Sequence, residues 1–434
     1  VCSMQYAVCS MQYAVCSMQY AVCSMHYHRP LLVRAVQNRY IVQVSCGAHH
    51  MFVRDRQGCL FGWGDNRSGQ VGLGAQHTDV SSPAQVTLCE HKPCTFVACG
   101  SSHTVALTDT GATYTWGRGK SGRLGLGHCR DTFAPSVVTF SSDDSFSACF
   151  ASGGWSHTIV LTTCGKAFSW GCGADGRLGV GCYSDQIRPK RVNLYPAESF
   201  AGSVSNGNGS DSQRSTPSSF VDINEVWKVS DHADTSITSS PSESGSPLAY
   251  ALTEIEQPLD CIIVRAGAGY AHSVFLTDRG QVFTCGCGVS GQLARFEAAP
   301  GCRESALPSE NKNNDPSLEL VPVGISLVPR LVVSGLENAF IEDVACGDHH
   351  TVAVSSEGFL FSWGLNHSGQ CCQIEDGGMP VTEQYSVLRS DPVASEGKVL
   401  RVACGPSCTA VIVSRPMISH ASSNAQHVTA QGVI

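Results

Sequence analysis

Apolar and polar positions alternate along most of this chain in short runs of five to seven residues, broken by glycine-containing turns. Residues 102–108 (SHTVALT) and 112–116 (ATYTW) show the pattern, with a turn at 109–111. Runs of that length with Thr, Val, Tyr and Trp around a glycine turn predict a β-hairpin. A third piece, 123–127 (RLGLG), follows a glycine-rich turn and is expected as another short strand. A fourth strand is expected where a proline is followed three residues later by valine: Pro30/Val33, Pro83/Val86, Pro135/Val138, Pro189/Val192 and Pro329/Val332.

These pieces recur with a period of about 53 residues. A glycine precedes a histidine by three at Gly47/His50, Gly100/His103, Gly154/His157, Gly269/His272 and Gly347/His350, and Gly405/Cys408 is an imperfect sixth copy. Eight residues after each histidine stands a glycine: Gly58, Gly111, Gly165, Gly280 and Gly358. Thirteen after it stands Trp63, Trp116, Trp170 or Trp363, with Cys285 in the fourth copy. Six further on comes Gly69, Gly122, Gly176, Gly291 or Gly369. Four short strands per unit, repeated, predict the blades of an all-β propeller, because a single blade cannot bury both of its faces.

Composition agrees. Glycine is 44 of 434 residues, above the usual ~7%, and charged residues are 15%, below the usual ~25%. Long-helix proteins have the opposite bias. Hydrophobic residues, at 42%, supply a large core. No apolar run approaches the ~18 residues of a membrane span, and no basic segment leads into an apolar stretch as a secretory signal would. The chain has 23 cysteines, many of them one per strand-like segment beside glycine, as in Cys46-Gly47. Small buried thiols in a reduced intracellular chain fit that spacing better than a disulfide framework. The expected location is cytoplasmic or nuclear, the cytoplasm preferred.

Residues 1–27 are a low-complexity tract built on VCSMQYA. Its seven-residue period is formally a coiled-coil seam, but no charges flank it. The tract is set aside from the fold, as is the tail 416–434. The period is broken twice between them. Pro189 and Gly269 are 80 residues apart, against 17 to 19 elsewhere, and 195–260 is rich in Ser, Asn, Gly and Pro, so a disordered acidic insertion is expected there, between two strands of one blade. A second loop insertion falls at 295–322. The repeat segments are then 28–194, 261–294 and 323–415. Net charge is +6 over 1–194, −8 over 195–260 and −6 over 261–434.

The segments VACGSSHTVALTDTGATYTWGRGKSGRLGLG (97–127) and VACGDHHTVAVSSEGFLFSWGLNHSGQ (344–370) resemble the repeat of the regulator of chromosome condensation family. The resemblance implies a β-propeller of the seven-bladed type, of which five complete repeats and one partial repeat are visible. It implies a protein-binding platform. The more specific form is a guanine-nucleotide exchange factor for a small GTPase, and the alternative is a chromatin- or ubiquitin-pathway scaffold without exchange. The family's exchange factor contacts its GTPase through a wedge in the connection that here spans 295–328. Arg295, Glu297, Arg303 and Glu304 are therefore the candidate partner contacts. A light-sensing member uses clustered tryptophans. Trp155, beside His157, is outside the repeat register, and the tryptophans here are too few for that use.

Other chemistry fades on inspection. Gly117–Gly122 matches G-x-G-x-x-G, but the pattern recurs at Gly171–Gly176 and Gly286–Gly291, in relaxed form at Gly64–Gly69 and Gly364–Gly369, and never opens a helix, which a phosphate cradle needs. One histidine per blade is spaced too widely for shared metal coordination, and a neutral imidazole bonded to a neighbouring backbone is expected. Cys89, His91 and Cys94 lack a second ligand pair at zinc spacing. No catalytic group, metal or cofactor site stands out, so a regulatory or binding protein is expected rather than an enzyme. A net charge of −8 without a basic tail argues against nucleic acid, and no membrane partner is expected.

Overall fold

The structure is a computed structural model that describes residues 33–88, 92–140, 147–196, 259–298, 320–322, 324–371, 383–390 and 398–414. It is an all-β propeller of antiparallel sheets. The first sheet holds β1 (Ile41–Cys46), β2 (His50–Asp55), β3 (Leu60–Asp65) and β4 (Asp79–Val86) in that order. The second holds β5 (Cys94–Cys99), β6 (His103–Thr108), β7 (Thr113–Gly117) and β8 (Thr132–Val137), and the third β9 (Ala148–Gly153), β10 (His157–Thr162), β11 (Ala167–Gly171) and β12 (Gln186–Val192). The fourth begins with β13 (Ile263–Ala268), β14 (His272–Thr277) and β15 (Val282–Cys287). A two-stranded ribbon, β16 (Phe296–Ala298) with β17 (Leu320–Pro322), precedes its last strand, β18 (Ile325–Leu331). The fifth holds β19 (Ile341–Cys346), β20 (His350–Ser355), β21 (Leu360–Leu365) and β22 (Glu383–Ser390). A two-stranded sheet of β23 (Val399–Gly405) and β24 (Cys408–Val413) follows.

Two expectations about strands are corrected. The RLGLG piece forms no strand. Its glycines Gly125 and Gly127 have positive φ, and the segment turns across the end of the sheet. The first strand of each sheet is instead the apolar run that ends just before the Gly-x-x-His turn, as in β5. The insertion 195–260 also does not separate two strands of one blade. The Pro189/Val192 strand is β12, last of the third sheet, and β13 opens the fourth. Between them Leu259 N–H donates to Leu194 O (2.7 Å) and Tyr195 N–H to Pro329 O (3.0 Å), which fixes both ends of the connection. Most of 195–260 lies outside the described residues, as do 1–27 and 416–434.

One register repeats. His50, His103, His157, His272 and His350 pair with Gly64, Gly117, Gly171, Gly286 and Gly364. The third and fourth strands of each sheet then slip at the repeat-tryptophan position, for example between Thr115 and Gly117. A bulge of this kind re-aims the extra side chain. Trp116, Trp170 and Trp363 point at the preceding sheet and are fully buried. Trp116 packs among Phe52, Leu60, Val71 and Val86 of the first sheet, with its ring 5.7 Å from Phe52. Gly125, at φ +71°, sits under Trp170, where an added Cβ would lie 2.7 Å from the indole nitrogen. Trp63 belongs to the first sheet and is only partly buried.

Trp116→Ala should therefore cost roughly 3–5 kcal/mol in urea unfolding, the range for emptying a large buried aromatic site. Trp155→Ala, at an exposed position, should cost well under that. Equal losses at the two positions would refute the packing role of the repeat tryptophan.

Candidate functional site

Consecutive sheets are joined by one hydrogen-bonded relay repeated five times. The imidazole Nε2 of each Gly-x-x-His histidine meets a hydroxyl of the next sheet: His50–Thr104 (2.9 Å), His103–Thr158 (2.8 Å), His157–Ser273 (2.9 Å), His272–Thr351 (3.1 Å) and His350–Thr409 (3.1 Å). That hydroxyl donates back to a carbonyl in the preceding sheet's glycine-rich turn: Gln70, Arg123, Arg177, Gln292 and Gln370, at 2.6–3.1 Å. The indole N–H groups of Trp116, Trp170 and Trp363 donate to three of the same carbonyls at 3.0, 3.0 and 2.9 Å. The expected backbone partner of the histidine is thus a hydroxyl, and the backbone is reached one step later.

The hydroxyl proton is committed to the carbonyl, so Nε2 of each imidazole carries the ring proton and Nδ1 is bare. None of the five Nδ1 atoms has a hydrogen-bond partner among the described residues. Burial pushes His50 and His350 down to about 4 and His272 down to about 3, and holds His103 and His157 well below the usual histidine range. The rings are neutral structural parts. The turn glycine is dictated by the same geometry, since a Cβ on Gly100 would collide with the His103 ring and with Gly154 O at 2.7 Å.

Each first strand ends and each second strand begins at one end of its sheet, where the third strand also ends and the fourth starts. The Gly-x-x-His turns and the glycine-rich turns therefore share one face. The β15–β18 connection, with its β16–β17 ribbon, leaves on that face, whereas the β12–β13 connection leaves on the opposite one. Arg295, at the start of the ribbon, is partly buried and its Nη2 donates to Thr284 O at 3.3 Å. Glu297 lies on β16. Arg303 and Glu304 lie outside the described residues.

The glycine-rich turns tie this face together in two ways. Gln70, Gln292 and Gln370 fold back, each side-chain oxygen accepting from the N–H two residues earlier at 2.9–3.0 Å. Arg123 and Arg177 replace them in the second and third sheets and reach forward. Arg123 donates to Trp155 O (2.9 Å) and Ser156 Oγ (3.1 Å), and Arg177 to Tyr270 O (2.9 Å). Arg177 is paired with Asp175 at 2.6 Å. Arg123 is 4% exposed with only neutral acceptors, and burial pushes it down to about 10.

On these supports stands an aromatic row. Trp155 is 40% exposed, its ring 5.0 Å from Tyr270, which is 5.2 Å from His349, both pairs tilted by 39°. The row spans the third, fourth and fifth sheets. Trp155 and Tyr270 each follow the repeat glycine by one residue, and that shared register was the available signal for grouping them. Cys94, from the weighed Cys/His group, donates to Phe96 O, while Cys89 and His91 lie outside the described residues. Among the described residues no three acidic, His or Cys side chains gather as metal ligands, and no helix is long and apolar enough to cross a membrane.

Repeated four-stranded sheets locked through a Gly-x-x-His turn define a propeller repeat protein. Two family models of the regulator of chromosome condensation (RCC1) repeat match the chain, one at 57–107, 110–161 and 279–354, the other at 41–70, 94–123, 263–292 and 341–370. The chain belongs to the RCC1 repeat family. It is similar to the ultraviolet-B receptor UVR8 of Arabidopsis thaliana, 30% identical over 272 residues, 62% of this chain and 58% of the receptor. It is also similar to the probable E3 ubiquitin-protein ligase HERC3 of Homo sapiens, 36% identical over 163 residues, 38% of this chain but 15% of the ligase. Among solved structures, human WBSCR16 matches with a TM-score of 0.57 at 17% identity, over 86% of this chain and 74% of that one, which speaks to fold alone. Prp20p of Saccharomyces cerevisiae matches at a TM-score of 0.46 and 19% identity, over 84% and 80%.

The buried histidines make stability depend on pH. An unfolded chain takes up protons at these rings near pH 6.5, but the folded chain resists until about pH 4 or below. Their contribution is complete above pH 6.5 and is lost as the pH falls from there toward 4. The urea midpoint should therefore drop between about pH 6.5 and 4.5, less steeply in His272→Gln. A flat midpoint over that range would show that the rings are not buried neutral.

Proposed function

We propose that this propeller is a protein-binding platform whose partner surface is the Gly-x-x-His face, and that its partner is a small GTPase from which it releases nucleotide. One observation carries the reading: exposed Trp155, the row it begins and the extended β15–β18 connection all leave the sheets at the same end. Exchange needs no covalent step. A surface that binds the nucleotide-free GTPase better than the loaded form lowers nucleotide affinity by the same factor. The family resemblance supports the GTPase as partner, with 295–328 as the contacting segment and Arg295, Glu297, Arg303 and Glu304 as its polar contacts.

The similarity to relatives named as ubiquitin ligases supports a second reading, in which the propeller holds a protein without exchanging nucleotide. Mixing the protein with small GTPases loaded with a fluorescent guanine nucleotide separates the two. Accelerated release is expected under the first. A panel that binds without release, or does not bind, favours the second. Replacing residues 299–319 by a short Gly-Ser linker should abolish GTPase binding with the melting temperature nearly unchanged. Undiminished binding would remove this loop from the partner surface.

A further inference from the structure

The aromatic row ends at a carboxylate. Asp348 follows the repeat glycine by one residue, as Trp155 and Tyr270 do, and so takes their register position on the fifth sheet, beside His349. Tyr270 N–H donates to the Asp348 carbonyl at 3.0 Å, and the next residue, His349, stacks on Tyr270. The Asp348 side chain is half-buried and has neither a hydrogen bond nor an ion pair among the described residues. Burial raises its pKa, with no cation pulling the other way. A half-buried carboxylate left without a counter-charge is costly, and its backbone is tied to the aromatic turn on one side and to the next turn on the other, where Asp348 N–H donates to Pro406 O at 3.1 Å.

The other charges near the row locate the unbalanced site. Arg177 lies 6.0 Å from the Tyr270 ring but is already paired with Asp175. Arg123, buried and without an ion pair among the described residues, donates to the Trp155 carbonyl at the opposite end. His349 is held below the ordinary histidine pKa by burial, so it brings no charge at neutral pH. The face is therefore polarised, with a cation bonded to the Trp155 carbonyl and a carboxylate at Asp348.

We propose that Tyr270, His349 and Asp348, extended by Trp155, form a reader for an arginine side chain of a partner protein. A guanidinium is planar and weakly hydrated, stacks on aromatic faces and meets a carboxylate with two parallel N–H donors. An ammonium does the last poorly, so lysine is the weaker ligand. The site rests on the reading of this face as a partner surface and names the chemistry it selects there.

The test uses the full chain and acetyl-Gly-Arg-Gly-amide, with the lysine and glutamate analogues as comparisons. Binding is followed through tryptophan emission and through the imidazole signal of His349 in NMR spectra. Saturable binding of the arginine peptide is expected, weaker binding of the lysine peptide and none of the glutamate peptide. Asp348→Asn should weaken the arginine peptide roughly tenfold or more, and Trp155→Ala should remove the emission change. Both variants should keep the parent melting temperature, since neither side chain belongs to a seam. Arginine binding indifferent to Asp348→Asn, or matched by the glutamate peptide, overturns the proposal. Arginine binding in a protein that releases no nucleotide leaves this site standing and retires the GTPase reading. Nucleotide release together with no arginine binding does the reverse.

Discussion

Everything in this propeller depends on a backbone carbonyl in each glycine-rich turn. It accepts a hydroxyl proton from the following sheet in all five seams and an indole N–H in three of them. That double demand fixes the distance between sheets and leaves the histidine no role but donor. A buried hydrogen bond of this kind adds only about 1 kcal/mol net, yet leaving one partner unmet costs more. The seams therefore act chiefly as specificity devices, and burial of Trp116, Trp170 and Trp363 supplies the larger stabilisation.

The relay also has a beginning and an end. Met51 occupies in the first sheet the position that Thr104, Thr158, Ser273, Thr351 and Thr409 fill later, and Cys408 occupies the histidine position in the two-stranded sheet. Among the described residues the lock thus runs from His50 to Thr409. The partial burial of Trp63 belongs to the same pattern, because no described sheet precedes the first one to cover it.

A regular frame lets single substitutions change the face without disturbing the fold. Glutamine at the turn caps its own loop, whereas arginine at the same place reaches the next sheet and steadies the turn that carries Trp155 or Tyr270. The residue after the repeat glycine changes from Ala48 and Ser101 to Trp155, Tyr270 and Asp348 while the turn keeps its form. Side-chain chemistry varies at positions that the seams hold but do not use.

The sequence by itself determined the repeat, the hairpins and the register of the tryptophans. These follow from spacings within some 20 residues, where glycine turns and alternating apolar positions act locally. It was less informative about the first strand of each sheet, since residues 94–99 carry no turn signal of their own and RLGLG mimics a strand with its alternating leucines. Only the tertiary structure decided that the histidine meets a hydroxyl 54 or more residues away, that Arg123 and Arg177 point forward and that Trp155, Tyr270 and His349 form one row. Those contacts join sheets separated by a whole repeat or by the long insertion. Nothing in local spacing says which sheet will lie beside which until packing brings them together.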